Sequence, residues 1–160
     1  MMTLNKLYAF ILFLLINISM LINDNFQLDE RLQNSSFHLI NWPLSQVLLK
    51  NNADYPWLIL VPRRNNLTEI TEFNKADQYQ LINEVNQLTL VIQDVFKPDK
   101  LNIGSLGNIV SQFHMHVVAR FQNDPLWPHG VWQSTAKDKT YIDPNPLIEK
   151  LKHRLSNISF

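Results

Sequence analysis

The chain contains no cysteine and only three glycines among its 160 residues. The lack of cysteine excludes disulfide bonds, thiolate metal sites and cysteine nucleophiles, although it identifies no compartment. Basic and acidic residues balance at 14 each and form no long basic run. The composition therefore indicates neither a nucleic-acid duplex nor an anionic membrane as a partner. A small anionic ligand is not excluded, because a few local groups are enough to bind one.

An apolar fraction of 46% with 11% aromatic residues is typical of a folded domain with a sizeable core. The one long apolar run, residues 7–22, follows Lys6 and is interrupted by Asn17 and Ser19. It is shorter than the about 20 apolar residues of a spanning helix. We therefore interpret residues 1–23 as an extension, 24–135 as one domain and 136–160 as a tail with a helix.

The extension has three interpretations that the sequence leaves open. It is a dispensable start with Met20 as the true first residue, an uncleaved anchor, or a cleaved signal peptide. A dispensable extension predicts a cytoplasmic protein. An anchor predicts membrane attachment through residues 7–22, and with it a membrane-tethered interaction protein as one alternative function.

Hydrophobic periodicity predicts an α+β domain with a mostly antiparallel sheet, one long helix and a C-terminal helix. The apolar runs 46–49 and 57–61 flank a turn-forming segment and predict a hairpin-like pair of strands. Apolar residues at three- and four-residue spacing predict an amphipathic helix over 77–96 that Pro98 ends. Weaker patterns predict a helical turn at 28–32 within an irregular segment 24–43, a short helix at 69–73 with Thr68 as its N-cap, strands at 101–103 and 111–120, and a final helix at 146–155.

Two of the five histidines lie within three residues of each other, in the alternating run 111–120. As a strand, this run places three apolar residues on one face and three polar residues on the other: Phe113, Met115 and Val117 against Gln112, His114 and His116. Such polar groups are costly on a half-buried strand unless each has a partner. The pair is consistent with a metal site, with nucleophilic and acid–base roles, or with structural histidines. A metal usually requires three or four ligands.

The loop before this run is rich in groups that bind anions. Gly104 and Gly107 let the backbone approach a ligand closely and expose its N–H donors. Asn102 and Asn108 add amide donors, and Ser105 adds a hydroxyl or is a simple turn residue. Together with the imidazoles, these groups predict a site for an oxyanion or a phosphate.

The stretch Asn102–Arg120 resembles the signature of the histidine triad (HIT) hydrolases and transferases, which act on nucleotides at the α-phosphorus. Their motif is His-φ-His-φ-His-φ-φ, where φ is apolar, and here Gln112 occupies the first histidine position. The resemblance extends back through Asp54–Arg63 and forward to Trp132, so it covers most of residues 26–132. The sequence is most similar to the bacterial diadenosine tetraphosphate hydrolase-like subgroup, which shares the Trp-Pro…Val-Trp tail. The resemblance implies a HIT-like fold and a homodimer.

The resemblance also implies roles for individual residues. His114 is expected to be the nucleophile that forms a covalent nucleotidyl-histidine, which water then releases. His116 is expected to orient phosphate oxygens, and Gln112 to buttress His114 by hydrogen bonding without titrating. The expected substrate contacts are Asn102, Ser105 and Asn108 at the phosphates, and Asn51 or Asn52 at the ribose.

Other residues have two interpretations each. The four tryptophans (Trp42, Trp57, Trp127 and Trp132) either stack on a base or lie in the core. Arg120 either contacts a phosphate or is a solvated residue at a strand end, and His129 lies in a loop that either has a function or does not.

The predicted function is hydrolysis or transfer of a nucleotidyl group from a dinucleoside polyphosphate or another nucleotide conjugate, with no metal or other cofactor. One alternative is a nucleotide-binding protein with little turnover, because Gln112 replaces the first histidine. Another is a non-enzymatic metal-binding module that uses His114 and His116. The sequence does not name the substrate.

Overall fold

The computed structural model describes residues 26–133 and 139–160. The predicted extension 1–23, including its apolar run 7–22, lies outside the described residues. Within the described ranges, no helix combines the length and the apolar character needed to cross a membrane.

In the described part of the chain, five strands form one antiparallel sheet in the order β1-β2-β3-β5-β4. The strands are β1 (Ser36–Asn41), β2 (Ser45–Lys50), β3 (Trp57–Pro62), β4 (Lys100–Gly104) and β5 (Met115–Arg120). The pairing of β2 with β3 confirms the predicted hairpin-like pair. The predicted α+β class with an antiparallel sheet is confirmed as well.

Three α-helices lie in the described ranges: α1 (Glu30–Asn34), α2 (Lys75–Phe96) and α3 (Asn145–Leu155). The long helix α2 begins two residues before the predicted start, because the Asn74 side chain caps it by accepting a hydrogen bond from the Asp77 N–H. It ends at Phe96, because the next residue, Lys97, adopts a left-handed φ of 51° and is followed by Pro98. The predicted final helix is also present, one residue longer at its start.

Both faces of the sheet are covered. Leu58 and Leu60 of β3 point to one face, where α2 and α3 pack, whereas Trp57, Ile59 and Val61 point to the other. This second face is covered by α1 and by the segment that leads to Val131. Burial on both sides explains why β3 is a continuous apolar run instead of an alternating one.

Three expectations from the sequence were wrong in detail. The described part of the segment, residues 26–43, is not irregular, since it contains α1, which overlaps the predicted turn at 28–32, and β1. β1 pairs with β2 alone and its register shifts between His38 and Ile40, so its polarity does not alternate regularly. The predicted short helix at 69–73 is a 3-10 turn, Ile70–Glu72, and Thr68 does not cap it. Instead the Glu72 carboxylate accepts hydrogen bonds from Thr68 and Glu69.

Candidate active site

The two histidines lie together on the face of the sheet opposite α2. The strand β5 begins only at Met115, and the residues before it are held by other means than strand pairing. The Phe113 N–H donates to the Leu67 carbonyl, and the Phe113 ring packs against Phe73 in the α2-side core. His114 therefore points to the opposite face, as His116 does. Their ring centroids are 4.7 Å apart, and the rings are nearly perpendicular at 89°.

The His116 ring has a defined tautomer because of its partner. The indole Nε1–H of Trp57 donates to His116 Nδ1 over 2.9 Å. An indole nitrogen can only donate, so Nδ1 accepts and the ring proton lies on Nε2. Burial, and then the charges of His114 and Lys50, lower the pKa of His116 to about 3. At neutral pH His116 is thus an uncharged ring that offers one N–H donor.

The His114 ring has the complementary tautomer. Its Nδ1 lies 2.7 Å from the carbonyl oxygen of Gln112. A carbonyl can only accept, so Nδ1 carries the proton and Nε2 keeps its lone pair. Burial lowers the pKa of His114, against the opposing effects of this hydrogen bond and of Asp29. One ring therefore presents a lone pair, and its perpendicular neighbour presents a donor.

Both rings line a cavity of about 390 Å³. Residues 106–110 form part of its wall, and Gly107 allows their turn by adopting a φ of 71°. Trp132 lines it as well. Two cationic side chains, Arg31 and Lys50, also face this space. The cavity thus combines the imidazoles, a loop and two positive charges, which suits a phosphate ester.

Of the predicted substrate contacts, Asn108 lines the cavity and three others do not. The Asn102 side chain accepts a hydrogen bond from Arg120 over 2.6 Å. The Asn51 side chain accepts one from the Tyr141 N–H over 3.0 Å. Ser105 is exposed outside the cavity lining. The alternative ribose contact, Asn52, is buried and accepts from the backbone that follows it. The structure therefore brings Asn108 to the cavity that the histidines line. The side chains of Asn102, Asn51 and Asn52 form hydrogen bonds outside it.

Gln112 contacts His114 in a different way from the one expected. Its backbone carbonyl, not its side chain, holds the imidazole. The side-chain amide points away and bonds the backbone of Gln27 and Asp29 instead. The hydrogen bond to His114 is therefore supplied by a main-chain group, which any residue at position 112 provides.

The tryptophans separate into different roles. Trp132 lines the cavity, and its ring packs over Gly104, where a Cβ would lie 3.4 Å from the ring. Trp57 lies behind His116, and Trp42 is buried in the α2-side core. Trp127 is partly exposed beside Arg120.

Neither interpretation of Arg120 was correct. The side chain is 1% exposed and forms a two-point ion pair with Asp124, so it is neither a solvated flank nor a phosphate contact. His129 is exposed and does not line the cavity.

Arg31 and Lys50 line the cavity but were not predicted from the sequence. Lys50 could have been predicted, because it is a cation at the end of the apolar run of β2 and directly precedes Asn51. No sequence pattern indicated a functional role for Arg31, because the segment around it was predicted to be irregular. The described residues contain no cluster of three or more histidine, cysteine, aspartate or glutamate side chains that could hold a metal ion.

Comparisons with known proteins agree with this geometry. The sequence model of the HIT domain family matches residues 31–123. A histidine triad protein from Sinorhizobium meliloti is 35% identical, with a TM-score of 0.79 over 85% of this chain and 99% of that one. One from Marinobacter aquaeolei is 36% identical, with a TM-score of 0.80 over 84% and 98%. One from Bradyrhizobium japonicum is 36% identical, with a TM-score of 0.76 over 81% and 97%. No curated protein sequence matched.

Proposed function

Because the chain belongs to the HIT (histidine triad) family, whose members are generally nucleotide hydrolases or transferases, we propose that it cleaves nucleotide conjugates at the α-phosphorus. The proposed substrate is a dinucleoside polyphosphate or another nucleotide conjugate. The observation that carries the proposal is the perpendicular imidazole pair with complementary tautomers in one cavity. A nucleophile needs a lone pair, and a phosphate oxygen needs a donor, and the pair offers one of each.

In the proposed reaction, His114 Nε2 attacks the α-phosphorus and forms an N–P bond. The bond from phosphorus to the leaving group breaks, and the leaving group departs with the electron pair. The positive charge on the ring is shared through Nδ1–H with the Gln112 carbonyl. Water then attacks phosphorus, the N–P bond breaks, its electron pair returns to Nε2, and the water gives up its proton to solvent. The products are a nucleoside monophosphate and the leaving group.

The other groups of the cavity stabilise charge on the phosphate during both steps. His116 Nε2–H donates to a non-bridging oxygen, and its Trp57 partner keeps that proton in place. Lys50 and the loop 106–110 contribute a positive charge and backbone donors. Such preorganised donors are worth most in a partly buried site. This chemistry requires no metal held by the protein.

Covalent trapping tests the nucleophile. The wild type, incubated with diadenosine tetraphosphate labelled at the α-phosphorus and quenched in alkali, is expected to retain an acid-labile, protein-bound nucleotide. His114→Asn is expected to retain none and to lose about three orders of magnitude or more in kcat. The matched control is His153→Asn, an exposed histidine on α3, which should keep both.

Equal turnover by wild type and His114→Asn would show that the nucleophile is wrongly assigned. Tight binding of AMP by a wild type that turns over no conjugate would instead support a nucleotide-binding protein with little activity. The homodimer and the role of residues 7–22 also stay predictions. Sedimentation measures the first, and fractionation of the chain with and without residues 1–19 measures the second.

A further inference from the structure

The side-chain amide of Gln112 holds a neighbouring segment as a strand partner would. Its Nε2–H donates to the Gln27 carbonyl over 2.8 Å, and its Oε1 accepts from the Asp29 N–H over 2.9 Å. In an extended chain, the carbonyl of one residue and the N–H two residues later face the same side. A carboxamide presents its donor and its acceptor side by side, so one side chain satisfies both backbone groups.

A histidine at position 112 could not make the same contact. The donor and the acceptor of a neutral imidazole lie on opposite sides of the ring and point in diverging directions. One ring could therefore satisfy the Gln27 carbonyl or the Asp29 N–H, but not both. The departure from the family motif at this position thus exchanges a titratable ring for a two-point backbone contact.

The segment held by Gln112 carries Arg31 to the cavity. Asp29 caps α1 by accepting from the Arg31 N–H, and its carboxylate also binds the Arg31 guanidinium through Nε and Nη2. The guanidinium Nη1 donates to the Ile109 carbonyl in the cavity wall. These bonds use three of the five N–H groups of the guanidinium. The remaining two N–H groups, one on each Nη nitrogen, are charged donors of the kind that bind carboxylates and phosphates, and we refer to them as the Arg31 fork.

Arg31 and Lys50 both line the cavity but contact different residues. Lys50 lies 5.1 Å over the ring of Trp57, the residue that holds His116. Arg31 is tied to Ile109 and to Asp29, whose charge acts on His114. Lys50 is thus placed for the phosphate that His116 binds. Arg31 is placed to bind a second anionic group of the same ligand.

We propose that Gln112 is a positioning residue for Arg31, and that Arg31 selects substrates whose leaving group is an anion. The inference rests on the proposed function, because it assigns to Arg31 the part of the substrate that departs as the leaving group. When the leaving group is a phosphate chain, the Arg31 fork stabilises the charge that it gains as the bond to the α-phosphorus breaks. When the leaving group is an amine, the fork has no partner.

Kinetics on two substrates test the role of Arg31. With diadenosine tetraphosphate, Arg31→Gln is expected to lower kcat/KM by about tenfold or more, which is the loss of one charge-assisted hydrogen-bonded pair. With adenosine 5′-phosphoramidate, it is expected to change kcat/KM by less than about threefold. Lys150→Gln removes an exposed positive charge from α3 and is the matched control. An equal loss on both substrates would overturn the selection role.

Gln112→His, Gln112→Ala and a double variant test the positioning role. Both single substitutions are expected to reproduce the selective loss on diadenosine tetraphosphate, although one restores the family's usual histidine. Adding Arg31→Gln to Gln112→Ala is expected to cause little further loss, because both act through one group. By NMR, the Asp29 amide should exchange faster with solvent, while amides of β3 should not. Additive losses, unchanged exchange, or higher activity of Gln112→His on both substrates would refute the proposal.

The two proposals fail in distinguishable ways. If the wild type turns over neither substrate, the proposed function fails. Selection is then measured by calorimetric titration with ATP and with AMP. A wild-type preference for ATP that Arg31→Gln removes would support the role of Arg31. An unchanged preference, or no binding of either nucleotide, would overturn it.

Discussion

At the scale of single residues, the two imidazoles differ because of their partners. The indole of Trp57 can only donate and the carbonyl of Gln112 can only accept, so they fix opposite tautomers on His116 and His114. Neither partner is a titratable group, and burial keeps both rings neutral at pH 7. The chemistry of the pair is therefore set by hydrogen bonds that persist across the physiological pH range.

Trp57→Phe tests this control of the tautomer. Without the indole donor, His116 Nδ1 loses its partner, and the proton is expected to distribute between both ring nitrogens. We expect a mixed tautomer in ¹⁵N NMR spectra and a fall in kcat/KM of about tenfold, the worth of one hydrogen bond. Trp42→Phe is the matched control, since it removes a buried indole bond to the Leu155 carbonyl far from the site. A His116 that keeps its proton on Nε2 in Trp57→Phe would contradict the prediction.

At the scale of elements, the end of β5 is fixed by a buried ion pair. Arg120 binds the Asp124 carboxylate through Nε and Nη2, and Asn102 of β4 through Nη1. The pair therefore joins β5, its neighbour β4 and the turn that begins the path to Trp132. The Arg120 guanidinium holds the pKa of Asp124 below its usual range. The geometry of the cavity wall thus depends on a contact that lies outside the cavity.

Asp124→Asn is expected to lower the free energy of unfolding by about 3–5 kcal/mol, because it leaves the Arg120 charge buried without its counter-ion. Urea denaturation measures the change. The matched control is Asp94→Asn, whose carboxylate pairs with Lys97 and Arg154 at the surface. Exposed pairs contribute about 0–1 kcal/mol. Similar losses in both variants would therefore show that the buried Arg120 pair stabilises the fold no more than a surface pair does.

The elements that the sequence predicted best are those with one regular periodicity. Alternation across residues 113–117 correctly placed Phe113 and Val117 on one face, which the structure packs into the α2-side core, and the three- and four-residue spacing located α2. β1 was missed because an irregular strand with one partner has no steady alternation. Sequence alone also placed the strand that bears the histidines too early, since Phe113 and His114 are held by packing and by a loop contact instead of a ladder.

At the scale of the whole molecule, the site is assembled from segments that are far apart along the chain. The histidine pair and Asn108 could be predicted because they share one short motif. Arg31 could not, since it reaches the cavity through the contact of Gln112 with residues 27–29. Asn102 and Asn51 were wrongly expected at the site because their competing partners, Arg120 and Tyr141, are distant in sequence. Local patterns located the imidazole pair, whereas the position of Arg31 depends on the tertiary fold.

The α3 helix belongs to the same core as the sheet. Leu151 and Leu155 are fully buried beside Trp42, whose indole donates to the Leu155 carbonyl. Unfolding therefore exposes the helices and the histidine site to water together, and a pH-dependent cost at the site acts on the stability of the whole domain.

The burial of neutral histidines predicts that the domain loses stability in mild acid. Both His114 and His116 have folded pKa values below 6.5, and that of His116 is about 3. The unfolded state therefore binds more protons than the folded state as pH falls below 6.5. Each histidine lowers the free energy of unfolding by up to about 1.4 kcal/mol per pH unit. Glu84 opposes this, because burial raises its pKa and the folded state therefore takes up a proton on this carboxyl before the unfolded state does.

Urea denaturation between pH 7.5 and 4.5 measures this dependence, in a window above the range where the carboxylates of Asp29 and Asp124 are protonated. The wild type is expected to lose stability steadily below pH 6.5, and His116→Gln to lose it with a shallower slope. His153→Asn, which alters an exposed ring, should follow the wild type. A free energy of unfolding that stays constant from pH 6.5 to 4.5, or an equal slope in His116→Gln, would contradict the neutral state of His116. That result would also remove the single-donor role on which its place in the proposed reaction depends.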